Sequence, residues 1–320
     1  LENTDIETVQ SVQPQGSVAV VLPCHNEAPA IGQVIQSFKE CLPNAHIVVV
    51  DNVSTDNTTE VARASGATVL SEPLRGKGNA LRRAFTEIDA DFYVMCDGDG
   101  TYDAARAPEM LSRLETEYLS MIVGTRDSES ASMPTGHTSG NLMFNKILKI
   151  LFNSTFTDVF SGYRAMTRQF VKSFPALASG FETEVELTIH AIQIKAAVSE
   201  LPTRYIQRAP GTESKLRTFH DGFRILWTVF LLAKQCRPFL VYGFVSALLA
   251  ALSLALGLPV VFEYIETGLV PRFPTAILAT GIFLQSSLSL MAGLILHSVS
   301  RNAAETKRLY FLSLGRSRQN

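Results

Sequence analysis

Cysteine is sparse in this 320-residue sequence: Cys24, Cys41, Cys96 and Cys236 stand far apart, with no C-x-x-C pair and no histidine at zinc-ligand spacing. That excludes a disulfide-stapled secreted domain and a zinc ribbon, and it is the pattern of reduced thiols in a cytosolic milieu. Charge is scarce as well. Asp, Glu, Lys and Arg make up 18% of the chain and the net charge is -2, so nothing in the charge balance marks a nucleic-acid partner. The first sixteen residues form a polar tail without an apolar run, and no secretory signal peptide is expected within them. A Walker A loop is missing too: Arg75-Gly-Lys-Gly78 has Gly after the lysine where Ser or Thr is required, and Ser71 where the first glycine should stand.

What is present in excess is apolar sequence, 46% of the chain. Residues 239–262 and 275–296 are runs of 24 and 22 residues without a charge. As helices they reach about 36 and about 33 Å, against a hydrocarbon core of about 30 Å. Two spans are expected, in a hairpin over 239–299 with helices at 239–262 and 274–299. The alternative, two core helices of a soluble protein, fits these lengths poorly. Five basic residues precede the hairpin (Lys215, Arg217, Arg224, Lys234, Arg237), five follow it (Arg301, Lys307, Arg308, Arg316, Arg318), and Arg272 alone lies between the spans. The positive-inside rule places both flanks in the cytoplasm, with residues 300–320 as a cytoplasmic tail and 263–272 outside. Residues 215–238 are juxtamembrane. Within them 219–234, with Phe223, Leu226, Trp227, Phe230 and Leu231 on one side, read as a helix lying in the membrane interface.

Residues 17–214 are long enough for one α/β domain. Val18-Ala-Val-Val-Leu22, Ile47-Val-Val-Val50 and Phe92-Tyr-Val-Met-Cys96 are short apolar runs without alternation, the mark of strands buried on both faces of a parallel sheet. Further strands are expected at 120–124 and 198–201. Helical spacing recurs at 28–41, 56–65, 78–88, 107–117, 142–152 and 184–194. Strand and helix alternate, so the sheet should be largely parallel. Residues 126–140, rich in Ser, Thr, Gly and Met, read as a loop that could form a lid.

In such a sheet ligands bind at the carboxyl ends of the strands, and those ends are acidic: Pro23-Cys-His-Asn-Glu27, Asp51-Asn-Val-Ser-Thr-Asp56 and Asp97-Gly-Asp-Gly100. Asp97 and Asp99, two residues apart directly after a strand, can together approach a hard divalent cation that also holds a diphosphate. Asp56 is expected to cap the helix that follows it, and Glu27 could answer a helix dipole. The Gly-rich loop around Lys77 could offer backbone N–H groups and one ammonium to a nucleotide.

P-C-H-N-E, D-N-V-S-T-D-N-T, R-G-K-G-N-A, D-G-D-G and Asp158-Val-Phe-Ser-Gly-Tyr-Arg164 stand in the order and spacing of family-2 glycosyltransferases. The sequence resembles their polyprenyl-phosphate group, which includes dolichol-phosphate mannose synthase and bacterial undecaprenyl-phosphate hexosyltransferases with two C-terminal membrane helices. The resemblance implies a GT-A fold and inverting transfer of a sugar from a nucleotide diphosphate-sugar to a lipid phosphate. It further implies nucleotide contacts by Pro23, Glu27, Asp51, Lys77 and Asp97, and Mg2+ or Mn2+ at Asp97 and Asp99. Asp158 stands at the proposed base position and Asp99 counts with it as catalytic, while Glu182 or Glu184 is a reserve base. Arg126 and Arg164 match the cationic motifs of the acceptor side, the segment Arg208-Ala-Pro-Gly-Thr-Glu-Ser214-Lys215 resembles R-x-x-G-x-S-K with one residue more between Gly and Ser, and Arg208, Ser214 and Lys215 are assigned there with the two arginines. Two positions depart from the mannose synthases: Thr101 replaces the Gln of D-A-D-x-Q, and Asn52 the second Asp of D-D-x-S-x-D.

The expectation is therefore a bacterial inner-membrane glycosyltransferase with a cytoplasmic GT-A domain, membrane lipids around its hairpin, no nucleic-acid partner and a possible homo-oligomer. A diacylglycerol or polysaccharide acceptor, and a non-catalytic nucleotide-sugar-binding scaffold, are the rival readings. A phosphate monoester has its second pKa near about 6, so such an acceptor is largely dianionic at neutral pH and needs little help from a base; Asp158 could instead orient Arg164 or a sugar hydroxyl.

Overall fold

The computed structural model of the chain describes residues 16–126, 156–180, 182–206, 234 and 237–315. Of these, the residues up to 206 together with 307–315 form one compact unit, and those from 234 to 306 another. The first unit opens with β1 (Val18–Cys24), α1 (Ala28–Cys41), β2 (His46–Asp51), α2 (Thr58–Ala64), β3 (Thr68–Ser71), α3 (Lys77–Glu87) and β4 (Phe92–Met95). It continues with α4 (Ala107–Thr116), β5 (Met121–Arg126), β6 (Arg164–Thr167), α5 (Arg168–Ser173), α6 (Thr183–Gln193) and β7 (Val198–Thr203).

The seven strands form one sheet in the order β3-β2-β1-β4-β6-β5-β7. Val20 and Leu22 of β1 pack in one cluster with α1 and α4, and the alternate residues Ala19 and Val21 are buried on the opposite face. That double burial is why β1 reads as an unbroken apolar run. β1 pairs in parallel with both β2 and β4. The chain thus winds from β1 out to β3 and returns to β4 on the other side of β1, which makes the gap between the carboxyl ends of β1 and β4 a topological switch point.

Two strands departed from expectation. β3 is short and half exposed, so it carries no apolar signature. β6 runs antiparallel to both β4 and β5, and it contains Arg164 and Thr167 rather than an apolar run. The expected helices at 142–152 and 219–234 lie outside the described residues, as does the loop beyond Arg126. α2 starts at Thr58 rather than at 56: Asn57 stands at its N-cap position without a side-chain cap hydrogen bond, and Asp56, expected to cap the helix, accepts the Thr58 N–H at 3.1 Å from one residue further out.

The second unit contains α7 (Pro238–Thr267) and the greater part of α8 (Phe273–Gly315). Both helices are long and apolar enough to cross a membrane, and only 17% and 22% of their most apolar windows are buried, which is not how core helices behave. Serines join the pair: Ser286 Oγ donates to the Ser246 carbonyl at 2.9 Å, Ser253 Oγ to the Ala279 carbonyl at 2.8 Å, and Ser289 Oγ to the Tyr242 carbonyl at 3.0 Å. Small residues and interhelical hydrogen bonds of this kind hold helices together where lipid removes the hydrophobic drive. The last turns of α8 belong to the first unit. There Lys307 donates to Gln193 Oε1 at 2.8 Å, and Arg308 caps the end of α6 through the Ile194 and Lys195 carbonyls.

Candidate active site

The loops after β1 and β2 are stitched together side by side. Asn26, at φ 55°, accepts the Thr55 N–H on Oδ1 at 2.7 Å, the Glu27 N–H donates to Thr58 Oγ1 at 2.9 Å, and the Ala28 N–H donates to Asp56 Oδ2 at 3.1 Å. Partial burial works against the charge of Asp56, but these hydrogen bonds outweigh it and hold the carboxyl below its ordinary value. Pro23, Glu27 and Asp51 are thereby fixed along one edge of the sheet. Asp51 Oδ1 is buried with no hydrogen-bond partner, an arrangement that a ribose hydroxyl or base N–H would satisfy.

Asn52 explains why the second position of this motif is an amide. Its Nδ2 donates to the carbonyls of Glu72 at 3.1 Å and Leu74 at 2.8 Å, while its Oδ1 accepts the Gly76 N–H at 2.6 Å. A carboxylate could not make the two donations. The same contacts correct the expectation for the Arg75-Gly-Lys-Gly78 loop. The Gly76 N–H is spent on Asn52 and the Gly78 N–H on the Ser179 carbonyl at 3.1 Å, so these amides do not cradle a phosphate. Gly76 has φ +134°, and a Cβ there would overlap the Ser179 carbonyl. What the loop does present is Lys77.

The Lys77 ammonium bridges Asp97, just beyond β4, and Glu184, in the first turn of α6. Burial opposes its charge, yet the two carboxylates outweigh burial and raise Lys77 above the ordinary lysine value. Burial raises the Glu184 carboxyl in turn, and Glu184 Oε2 is buried without a hydrogen-bond partner. Asp99 is buried beside Thr101, whose N–H and hydroxyl donate to Asp99 Oδ1 at 3.1 and 2.6 Å. Thr101, where the mannose synthases have Gln, therefore holds the second carboxylate of the D-x-D. Among the described residues no three His, Cys, Asp or Glu side chains cluster as a closed metal cage. Two hard carboxylates, one of them partly exposed, still fit Mg2+ or Mn2+, because such ions are held by one or two carboxylates with substrate phosphates and water completing the shell. Asp97 and Asp99 are the residues that would hold one.

At the end of β5, Arg126 meets Asp158 fork to fork: Nε donates to Oδ2 and Nη2 to Oδ1, both at 2.7 Å. The Asp158 loop is set by Glu200 of β7, whose Oε1 accepts the Thr157 N–H at 2.8 Å. Tyr205 lies under the guanidinium, 5.8 Å from its ring centre, and Tyr102 packs edge-on against Tyr205. Tyr102 OH accepts the Gly162 N–H at 3.0 Å, and Gly162 itself lies against Asp97, where a Cβ would come within 2.6 Å of Oδ2. One segment, from Asp158 to Tyr163, thus runs from the Arg126 pair to the Lys77–Asp97 pair.

Arg164 requires a correction. It is fully buried, and its guanidinium donates to the carbonyls of Ser161 at 3.1 Å and Val159 at 2.7 Å and to Thr188 Oγ1 at 3.1 Å. Every donation is internal, so Arg164 braces the Asp158–Tyr163 segment and does not face a lipid phosphate. Burial lowers its pKa to about 10, still cationic at neutral pH. Asp158 orients Arg126, not Arg164. Arg208, Ser214 and Lys215 lie outside the described residues. Asn52, Thr101, Tyr102 and Glu200 escaped the sequence reading as functional side chains. Only Asn52 and Thr101 left a signal there, as departures from the motif.

A mostly parallel sheet with carboxylates at its switch point and a D-x-D beyond the fourth strand is GT-A architecture. Residues 19–174 match the glycosyl transferase family 2 domain. Glycosyltransferase AglJ of Haloferax volcanii is 32% identical over 252 residues, covering 78% of this chain and 82% of that protein. The dolichyl-phosphate hexose transferase of the same organism is 30% identical, with 65% of this chain and 90% of the relative covered. An undecaprenyl-phosphate mannosyltransferase of Micrococcus luteus is 24% identical over 62% of this chain and 87% of its own. Among solved structures, glucosyl-3-phosphoglycerate synthase of Mycobacterium tuberculosis in complex with Mn2+, UDP-glucose and phosphoglyceric acid superposes with a TM-score of 0.56 at 22% identity, over 68% of this chain and 80% of that one. The chain belongs to glycosyl transferase family 2 and is a glycosyltransferase.

Proposed function

We propose that this glycosyltransferase moves a hexose from a UDP-sugar to a polyprenyl phosphate, inverting the anomeric centre, on the cytoplasmic face of a membrane that its C-terminal hairpin crosses. The observation that carries the reading is a guanidinium, Arg126, fixed by Asp158 and joined through one short segment to the carboxylate-lined nucleotide edge. The names of the relatives that act on dolichyl and undecaprenyl phosphates support the acceptor class, and the UDP-glucose complex of the structural neighbour supports the donor.

In this reading Asp51, with Pro23 and Glu27, takes the nucleoside, and Lys77 and Asp97 meet the diphosphate. A divalent cation held by Asp97 and Asp99 supplies charge neutralisation to the leaving diphosphate. An acceptor phosphate oxygen forms the new bond to the anomeric carbon as the bond from that carbon to the diphosphate breaks, and UDP departs. The acceptor is already ionised near neutral pH, so no proton has to be removed. Arg126 receives the acceptor phosphate, with Arg208, Ser214 and Lys215 added from the end of the catalytic domain and the first juxtamembrane residue, and Asp158 keeps the Arg126 fork aimed.

The test is to incubate the purified full chain with radiolabelled UDP- and GDP-sugars and undecaprenyl phosphate, then extract the lipid. Label in a lipid-linked monosaccharide from one UDP-sugar is expected; label that enters lipid from none of them would contradict the proposal. Topology has its own check, since a cysteine placed at Thr267 should react in intact cells with an impermeant maleimide. Reaction at Ser313→Cys instead would reverse it.

A further inference from the structure

Lys77 has two unequal partners. Glu184 is buried and lies on a helix, whereas the Asp97 side chain is 29% exposed. The Lys77 side chain is only 9% exposed, and Gly162 closes the pair from a third side: a Cβ there would come within 3.0 Å of Lys77 Nζ. Asp97 is the carboxylate proposed to meet the metal and the diphosphate, yet here it already holds a cation. Glu184 keeps a second oxygen, Oε2, buried with no hydrogen-bond partner.

We infer that Lys77 is the resident counter-cation of Asp97 in the donor-free protein, and that it leaves Asp97 for Glu184 and the diphosphate when a divalent cation arrives with the donor. This rests on the reading of Asp97 as a metal and diphosphate ligand. An ammonium and a divalent cation in contact with one carboxylate repel each other, so metal alone must displace Lys77 at a cost. The diphosphate removes that cost by bringing enough negative charge for both cations. Glu184 Oε2 gives the displaced ammonium a second acceptor without leaving the buried site. Metal and nucleotide therefore bind with positive coupling, and the factor by which UDP tightens Mn2+ equals that by which Mn2+ tightens UDP. Glu184 is a positioning residue in this scheme: it keeps Lys77 beside the crevice in both states.

The experiment measures Mn2+ affinity of the full-length protein by electron paramagnetic resonance, with and without UDP and without any acceptor. Lys77→Gln alone leaves Glu184 as an uncompensated buried charge and can unfold the domain, so Lys77→Gln/Glu184→Gln is the main variant, with folding checked by circular dichroism. The double variant is expected to bind Mn2+ alone at least tenfold more tightly than the wild type, and the tightening produced by UDP should shrink by a similar factor. An unchanged or weaker Mn2+ affinity in the folded double variant overturns the inference. Equal tightening by Glu184→Gln alone also overturns it, because the lysine would then be irrelevant. Asp97→Asn separates this from the underlying reading. If it leaves Mn2+–UDP binding intact, the assignment of Asp97 fails and the exchange falls with it. If it abolishes that binding while the double variant shows no tightening, the exchange alone fails.

Discussion

Asp158 presents both carboxylate oxygens to Arg126, at 2.7 Å to Nη2 and 2.7 Å to Nε, and Oδ2 also receives the Arg126 backbone N–H at 3.2 Å. A carboxylate so engaged is arranged to aim a guanidinium, and its lone pairs are not waiting for a substrate proton. Asp158→Asn should therefore lower kcat/KM for the lipid acceptor by about tenfold, mainly through KM, and leave UDP affinity unchanged. A general base would show itself differently, as a loss of about 10²-fold or more in kcat. Steady-state kinetics with varied acceptor distinguish the two.

Asn52→Asp restores the acidic pair of the mannose synthases yet should harm this protein. The new carboxylate cannot donate to the Glu72 and Leu74 carbonyls and would set its charge against them. A loss of about 1–3 kcal/mol is expected, measured as a lower midpoint in thermal or urea unfolding of the variant. An unchanged midpoint would show that the clasp is dispensable.

Arg164 distinguishes bracing from acceptor binding. Arg164→Met removes a buried guanidinium and leaves the carbonyls of Ser161 and Val159 without their donor. The expected outcome is destabilisation of about 1–3 kcal/mol for each buried carbonyl left unsatisfied. Calorimetry of the variant beside its acceptor titration decides: normal stability with a raised acceptor KM would return Arg164 to the lipid site.

Acid should loosen the first unit through His190. Its ring lies against Phe170 and Phe174, at 5.4 and 5.6 Å between centroids, and the Ser173 hydroxyl, which donates to the Phe170 carbonyl, sits 3.0 Å from Nε2. Burial, and after it the charge of Lys307, pushes the imidazole from 6.5 down to about 4. Between those values the unfolded chain binds a proton that the folded chain refuses. The contribution of His190 is therefore whole above about pH 6.5 and is lost as pH falls toward 4, about 3 kcal/mol in all. Unfolding midpoints from pH 7 to 4 should fall less steeply in His190→Gln; parallel profiles would assign the acid sensitivity elsewhere.

The strands most legible in the sequence are those buried on both faces. β1, β2 and β4 stand out because Val20, Val49 and Val94 and their neighbours all leave water, so no polar residue interrupts the run. β6 was invisible for the opposite reason: Arg164 occupies a core position, and its charge is satisfied by carbonyls that only the folded loop supplies. The polar edge of the sheet was legible because strand ends and motif residues coincide at Pro23, Asp51 and Asp97. The partnerships were not. That Lys77 would reach Glu184, more than a hundred residues later, depends on α6 passing over the RGKG loop, and no local spacing encodes it.

In the proposed reaction an ionised lipid phosphate, received by a guanidinium, attacks the donor without a base. The most direct measurement compares sugar transfer from the same UDP-sugar to undecaprenyl phosphate and to undecaprenol by one preparation of the protein, at pH 7, with Asp158→Asn alongside. Transfer to the phosphate only is expected, with clear residual transfer in Asp158→Asn at saturating acceptor. Transfer to the alcohol at a comparable rate, abolished by Asp158→Asn, would contradict it.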